Sequence, residues 1–160
     1  WVNLPAKHKM TEPGYQAITA DQMGVVDLPK GRVRVIAGEY RGVKGPAHTF
    51  SPINMFDFDL QAGGQADFDS PASWNTGLLV MSGAVMVNGR PVKQDEFVVF
   101  GQEGESIKVE ATTESRLLLL NGEPINEPVA SYGPFVMNTP AEIEAAIRDF
   151  QAGKFGHLDE

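Results

Sequence analysis

The stretch between residues 66 and 89 constrains the fold most, because it holds three short strand-like runs separated by tight turns. Residues 66–69 alternate apolar and acidic side chains, the two-residue period of a strand with one buried face. Residues 78–81 are apolar on both faces, as in a strand covered from both sides. Ser82-Gly83 and Asn88-Gly89 accept a positive backbone φ, so we predict hairpin turns at both places. The stretch therefore predicts antiparallel β-structure.

The same pattern extends along the chain in both directions. Residues 55–60 alternate aromatic or aliphatic side chains with aspartates, which is the clearest strand signal in the sequence. Further strands are predicted at residues 33–35, 97–100, 106–109 and 116–120. Weaker signals predict a strand at residues 1–4, an extended segment at 5–15, a brief strand at 16–20 and a loop at 38–46. Short strands at this spacing are typical of an all-β barrel or sandwich.

One helix is predicted near the end of the chain. Thr139 can cap it, Pro140 suits the first helical position, and Glu142 completes a capping box. Gly153 is a natural stop. The predicted apolar stripe, which we expect to be buried, consists of Ile143, Ala146, Ile147 and Phe150.

Composition narrows the functional classes. The 160 residues carry a net charge of −8, which argues against direct nucleic-acid binding, and contain no cysteine for disulfides or thiolate chemistry. No apolar run is long enough to predict a membrane span, and no secretory leader is visible, so a cytoplasmic location is expected. Because the chain opens with Trp1 rather than Met, we expect a fragment or a processed product.

The strand, loop, strand and glycine pattern of residues 66–89 resembles the opening of a cupin barrel, where cupins usually hold a metal. Counting from the flanking glycines places the first three ligand positions at Ser70, Ala72 and Thr76, and the fourth at Ser106 or Ile107. None of these residues is a histidine or a carboxylate, the ligands such a centre requires. We therefore predict no metal-binding and no catalytic residue in this chain, and the sequence identifies no ligand-binding residue.

Two pairs of carboxylates deserve comparison with a hard-cation site. Asp67 and Asp69 share one face of a predicted strand, and Asp57 and Asp59 repeat the pattern on another. The favoured interpretation is that all four belong to solvated strand faces and form an acidic outer surface.

The remaining histidines, glycines and serines, together with Trp74, do not form a recognisable catalytic or binding motif. His48 lies in a Gly- and Pro-rich loop, where a surface histidine is expected, while His8 and His157 lie near the ends. Glycines within residues 38–45 precede no helix, so they make no phosphate loop. Trp74 could wall a cavity, but core packing is the favoured interpretation. No histidine partner is indicated for the candidate nucleophiles Ser51, Ser70 and Ser82.

The last third of the chain resembles the C-terminal signature of the pirin family. The motifs that carry the resemblance are GEPINEP at residues 122–128, GPFVMN at 133–138, TPAEI at 139–143 and GKFG at 153–156. Earlier segments agree with it, namely WVNLP at residues 1–5, PGYQ at 13–16, VRVIAG at 33–38 and GP at 45–46.

The resemblance implies an all-β, cupin-type (jelly-roll) β-barrel with one C-terminal α-helix. Pirins contain two cupin barrels, and an iron or other divalent metal is held by the N-terminal one. The chain is similar to the second barrel, so no cofactor is expected in it and the metal is expected in a missing N-terminal domain. The implied organisation is a connector at residues 1–20, the barrel at 21–138, the helix at 139–153 and a tail at 154–160.

The resemblance leaves two functional hypotheses. In the first, the chain is a non-catalytic barrel that completes a metal-dependent, quercetin 2,3-dioxygenase-like protein. In the second, it is a protein-interaction module of a transcriptional or metabolic co-regulator. The expected partners are the upstream cupin domain, a regulatory protein, and a second copy of the chain paired through residues 1–4.

Overall fold

The predicted antiparallel strands are present in the computed structural model, which describes residues 2–12 and 14–156. These residues form fourteen strands, one 3₁₀ helix (Ala6–His8) and one α-helix, α1 (Pro140–Gln151). The strands are β1 (Gly24–Leu28), β2 (Gly31–Ala37), β3 (Glu39–Tyr40), β4 (Val43–Lys44), β5 (Ile53–Leu60), β6 (Gln65–Asp69), β7 (Asn75–Ser82), β8 (Ala84–Val87), β9 (Arg90–Lys93), β10 (Phe97–Val99), β11 (Ser106–Ala111), β12 (Ser115–Gly122), β13 (Ala130–Tyr132) and β14 (Phe135–Met137).

Residues 14–124 make one compact unit, called here the core unit. A six-stranded antiparallel sheet has the order β1-β2-β5-β12-β7-β10, and a four-stranded sheet has the order β6-β11-β8-β9. β12 is central, with Asn121 paired to Asn54 on β5 and to Thr76 on β7. The strand prediction at residues 116–120 is confirmed by this position.

The two sheets share one apolar core. Alternate residues of each strand point inward because successive side chains leave a strand on opposite faces. The largest fully buried side chains of this core are Phe56, Leu60, Leu78, Leu117 and Leu119. Phe68, Val87, Ile107 and Val109 join them from the smaller sheet. The all-β, cupin-type fold class is therefore confirmed.

The turns predicted at residues 82–89 differ from each other. Asn88 and Gly89 have φ of 47° and 77° and join the paired strands β8 and β9, so this hairpin is confirmed. Gly83 has φ of 80°, but β7 and β8 belong to different sheets. The hairpin prediction at Ser82-Gly83 is therefore wrong, because the chain uses Gly83 as a corner between the sheets.

The second compact unit, called here the helical unit, contains the described residues 2–12 and 125–156. The hairpin of β13 and β14 packs against α1. The capping box is confirmed: the Glu142 amide donates to the Thr139 hydroxyl, and the Thr139 amide donates to the Glu142 carboxylate. A hydrogen bond from the Thr139 hydroxyl holds the pKa of Glu142 below its usual value.

The apolar stripe of α1 is only partly buried. Ile143 and Ala146 are buried, and Ile147 is half-buried. Phe150 is 62% exposed, so its predicted burial is wrong. Its ring lies against the rings of Phe135 and Phe155, with centroids 6.1 Å and 6.4 Å away.

Several weaker predictions need correction. Residues 2–4 and 16–20 form no strand, and Trp1 lies outside the described residues. The predicted extended segment at 5–15 contains the 3₁₀ helix, and the predicted loop at 38–46 contains the β3–β4 hairpin. The core unit ends at residue 124, and the predicted barrel bounds of 21–138 stay a prediction. Within the described chain, no helix has the length and apolar character needed to cross a lipid bilayer.

Candidate functional site

The four predicted cupin ligand positions lie around one cavity of the core unit, called here the mouth cavity. It has a volume of about 260 Å³. Ser70, Ala72, Thr76, Ser106 and Ile107 all line it. Counting from the glycines therefore selected positions that lie around one cavity, although the residue types are not those of a metal centre.

A chain of hydrogen bonds between neutral side chains leads to Ser70 and Thr76, the two lining residues called here the floor of the mouth cavity. Asn54 Nδ2 donates to Asn121 Oδ1 at 2.8 Å. Asn121 Nδ2 then donates to Ser70 Oγ and to Thr76 Oγ1, both at 2.8 Å. Asn121, Thr76 and Ser70 are all buried, so the two bonds that Asn121 donates are shielded from water. This chain of residues is called here the amide relay.

The direction of the amide relay is set by the backbone. The amide of Glu39 donates to Asn54 Oδ1 at 3.4 Å, which leaves the Asn54 amide group to donate onward. Gly38 makes this approach possible, because a Cβ atom there would overlap Asn54 Oδ1. The positive φ of 77° at Gly38 also favours glycine.

The residues of the mouth cavity do not fit a catalytic transition metal. Iron and similar ions in cupin-type sites are held by imidazole and carboxylate groups. Ser70 and Thr76 offer neutral hydroxyls already bound to Asn121, and Ala72 and Ile107 offer no donor atom. Within residues 2–12 and 14–156, no group of three or more His, Cys, Asp or Glu side chains could hold a metal ion.

Sequence reasoning missed Asn54 and Asn121. A signal was present, because Asn121 continues the inward face of Leu117 and Leu119 on β12. An amide at an inward position of an otherwise apolar strand predicts a buried hydrogen-bond network. Trp74 is half-buried and lines the mouth cavity, so the interpretation that favoured core packing is wrong.

Comparison with known proteins agrees with the fold. Residues 55–156 match the family described as the Pirin C-terminal cupin domain. The chain belongs to the pirin family. Among curated pirins, Pirin-1 of Arabidopsis thaliana is 39% identical over 168 residues, which cover 98% of this chain and 56% of that protein. Pirin of Homo sapiens is 36% identical over 162 residues, with coverage of 98% and 56%.

One solved structure covers nearly the whole chain. The crystal structure of quercetin 2,3-dioxygenase from Acinetobacter baumannii matches with a TM-score of 0.92 and 42% identity. The match covers 99% of this chain and 56% of that one. This pirin chain therefore spans a little over half the length of the relatives it matches.

The acidic pair on β5 has a role that the sequence did not predict. Asp57 is only 7% exposed, so the interpretation of it as a solvated surface carboxylate is wrong. Arg34 Nη2 donates to it at 2.7 Å and Arg116 Nη2 at 2.9 Å, from the strands on either side of β5. Burial raises the pKa of Asp57, but the hydrogen bonds and charges of both arginines outweigh this and lower it. Asp59 is half-exposed and pairs with Arg32 at 3.1 Å.

The remaining candidates stay outside the mouth cavity. Asp67 is exposed and forms an ion pair with Arg41, and Asp69 is also exposed. The backbone amide of His48 donates to Gln16 Oε1, and its carbonyl oxygen accepts from Gln16 Nε2. The centroid of its ring lies 5.6 Å from that of Phe50. His8 belongs to the helical unit, and His157 lies outside the described residues.

Proposed function

We propose that this chain is the non-catalytic C-terminal barrel of a two-barrel pirin with quercetin 2,3-dioxygenase-like activity. The observation that carries the proposal is the amide relay, because it places neutral hydrogen-bonded groups at the positions where a cupin centre needs ligands. The matched Acinetobacter baumannii enzyme supports the activity, and its length supports a second barrel. The metal is assigned to that N-terminal barrel, and a cytoplasmic location accompanies this role.

The experiment uses the complete protein that contains this chain. After loading with iron and dialysis, we expect one metal ion per chain and oxygen uptake with quercetin. Thr76→Ala and Ser70→Ala should leave both the metal content and the rate unchanged, because these groups hold no metal in the proposal. Two metal ions per chain, or loss of the metal in either variant, would contradict it.

A second candidate function is protein interaction in a pirin-type co-regulator. It is favoured by an exposed aromatic group on the helical unit, where Phe150 is 62% and Phe155 is 46% exposed. Exposed apolar groups of this kind are often covered by a partner. A complete protein that retains one metal ion but shows no oxygen uptake with quercetin above free iron would favour this second candidate.

A further inference from the structure

The mouth cavity has the size of a site for a single-ring ligand. Its volume of about 260 Å³ lies just below the lower end of ordinary small-molecule pockets, roughly 300 Å³. Aromatic side chains of Trp74 and Phe100 form part of its lining. Glu103 and Glu105 also line it and are exposed, which makes its rim acidic.

Backbone hydrogen bonds hold the lining of the cavity together. The amide of Ser70 donates to the carbonyl oxygen of Glu105 at 2.8 Å. The amide of Phe100 donates to the carbonyl oxygen of Thr76 at 3.0 Å. These bonds join the floor residues to the segment 100–105, so the cavity is preformed and a ligand has little ordering cost to meet.

The amide relay fixes the two floor hydroxyl oxygens as acceptors, so each hydroxyl has its own hydrogen left to donate. Asn121 Nδ2 gives a hydrogen to each hydroxyl oxygen, so Ser70 and Thr76 act as acceptors there and their own hydrogens point elsewhere. The Ser70 hydroxyl donates to the carbonyl oxygen of Pro71 at 3.4 Å, which is a long and therefore weak hydrogen bond. None of the described residues accepts a hydrogen bond from the Thr76 hydroxyl, although this side chain is only 8% exposed.

A buried donor without an acceptor is costly, and a ligand oxygen would remove that cost. The ligand must therefore offer a hydrogen-bond acceptor at the floor. An anion would be repelled by the rim carboxylates of Glu103 and Glu105 and by the net charge of −8. A cation would bring no acceptor to the floor.

We propose that the mouth cavity binds a small neutral ring compound that carries a carbonyl group. The carbonyl oxygen accepts from the hydroxyls of Thr76 and Ser70, and the ring lies against Trp74 and Phe100. This binding is independent of any metal and of the activity proposed above.

The test is a titration of the ¹⁵N-labelled full chain with benzamide, followed by NMR. The side-chain amide resonances of Asn121 and the indole resonance of Trp74 report on the floor and the wall. Thr76→Val keeps the shape of the side chain and removes the donor, so we expect its Kd for benzamide to rise about tenfold. Ser82→Ala is the matched control, because Ser82 is an exposed hydroxyl on the same strand outside the cavity.

Two further probes use the unchanged chain. Benzoate has the shape of benzamide with a negative charge, and toluene has the ring without an acceptor, so both should bind at least about tenfold more weakly. If Thr76→Val fails to fold, the proposal is tested by the relative affinities of benzamide, benzoate and toluene and by the Kd of Ser70→Ala for benzamide. Equal binding of benzamide and toluene, tighter binding of benzoate, or an unchanged Kd in folded Thr76→Val would overturn the proposal.

Discussion

At the scale of single residues, the neighbours on adjacent strands decide what a charged side chain does. Asp57 and Asp59 lie two residues apart on the same face of β5. Asp57 is buried between Arg34 and Arg116, whereas Asp59 is half-exposed beside Arg32. We therefore expect the Asp57 carboxylate to contribute more to the stability of the fold than the Asp59 carboxylate.

We predict that Asp57→Asn lowers the free energy of unfolding by about 1–3 kcal/mol, because it leaves two arginines without their shared carboxylate. The matched control Asp59→Asn should cost at most about 1 kcal/mol, as is usual for an exposed pair. Urea unfolding of both variants measures the difference. Equal losses in the two variants would contradict the assignment of Asp57 as the central residue.

The same carboxylate predicts a dependence of stability on pH. The pKa of Asp57 is lower in the folded chain than the unfolded value of about 3.9. Its contribution is therefore fully present above pH 4 and is lost as pH falls through the folded pKa. The wild type should lose more stability than Asp57→Asn between pH 5 and the acid limit, as urea midpoints at each pH would show.

The sequence could predict some of these residues and not others. Alternation of apolar and acidic residues predicted the strands that carry these side chains. The spacing of glycines predicted the positions Ser70 and Thr76. The burial of Asp57 depends on Arg34 and Arg116, which are 23 and 59 residues away along the chain. Such pairing is set by the order of strands in the sheet, and local periodicity contains no information about it.

At the scale of elements, the corner at Gly83 carries the chain from the larger sheet to the smaller one. A Cβ atom at Gly83 would overlap the carbonyl oxygen of Glu114 and the hydroxyl of Ser115. The Ser115 hydroxyl also accepts from the amide of Ala84 at 3.1 Å, which ties β12 to the start of β8. The alternation predicted the strands but not this change of sheet, because a positive φ suits a hairpin and a corner equally.

We predict that Gly83→Ala destabilises the chain more than Gly89→Ala. Both glycines have a positive φ, of 80° and 77°, so both substitutions carry a backbone cost of about 1–2 kcal/mol. Nothing lies within 4 Å of a Cβ at Gly89, whereas the overlap at Gly83 should add about 1–3 kcal/mol. Similar denaturant midpoints for the two variants would show that the corner is not tightly packed.

Within the helix α1, a buried side chain and an exposed side chain can be compared. Ile143→Ala removes a buried side chain and should cost about 2–5 kcal/mol. Phe150→Ala removes an exposed ring whose contacts are those with Phe135 and Phe155, and should cost about 0.5–1.5 kcal/mol. Thermal unfolding followed by circular dichroism measures both losses. A larger effect of Phe150→Ala would show that its ring is covered in solution.

At the scale of the whole molecule, sequence and structure agree on the family and on the fold. The motifs of residues 122–156 predicted a pirin, and the family match confirms it. The division into a core unit and a helical unit was not predicted, because it joins residues 2–12 to residues more than 110 positions away. Self-association through residues 1–4 stays a prediction, and the strand on which it was based is absent at residues 2–4.

The amide relay has a consequence for how the mouth cavity responds to its surroundings. Amide and hydroxyl groups do not gain or lose protons between about pH 4 and pH 10, whereas the imidazoles of a metal centre become charged near pH 6.5. They also undergo no redox chemistry of their own. The floor of this cavity therefore keeps one chemical state through acidification and through changes of oxidant.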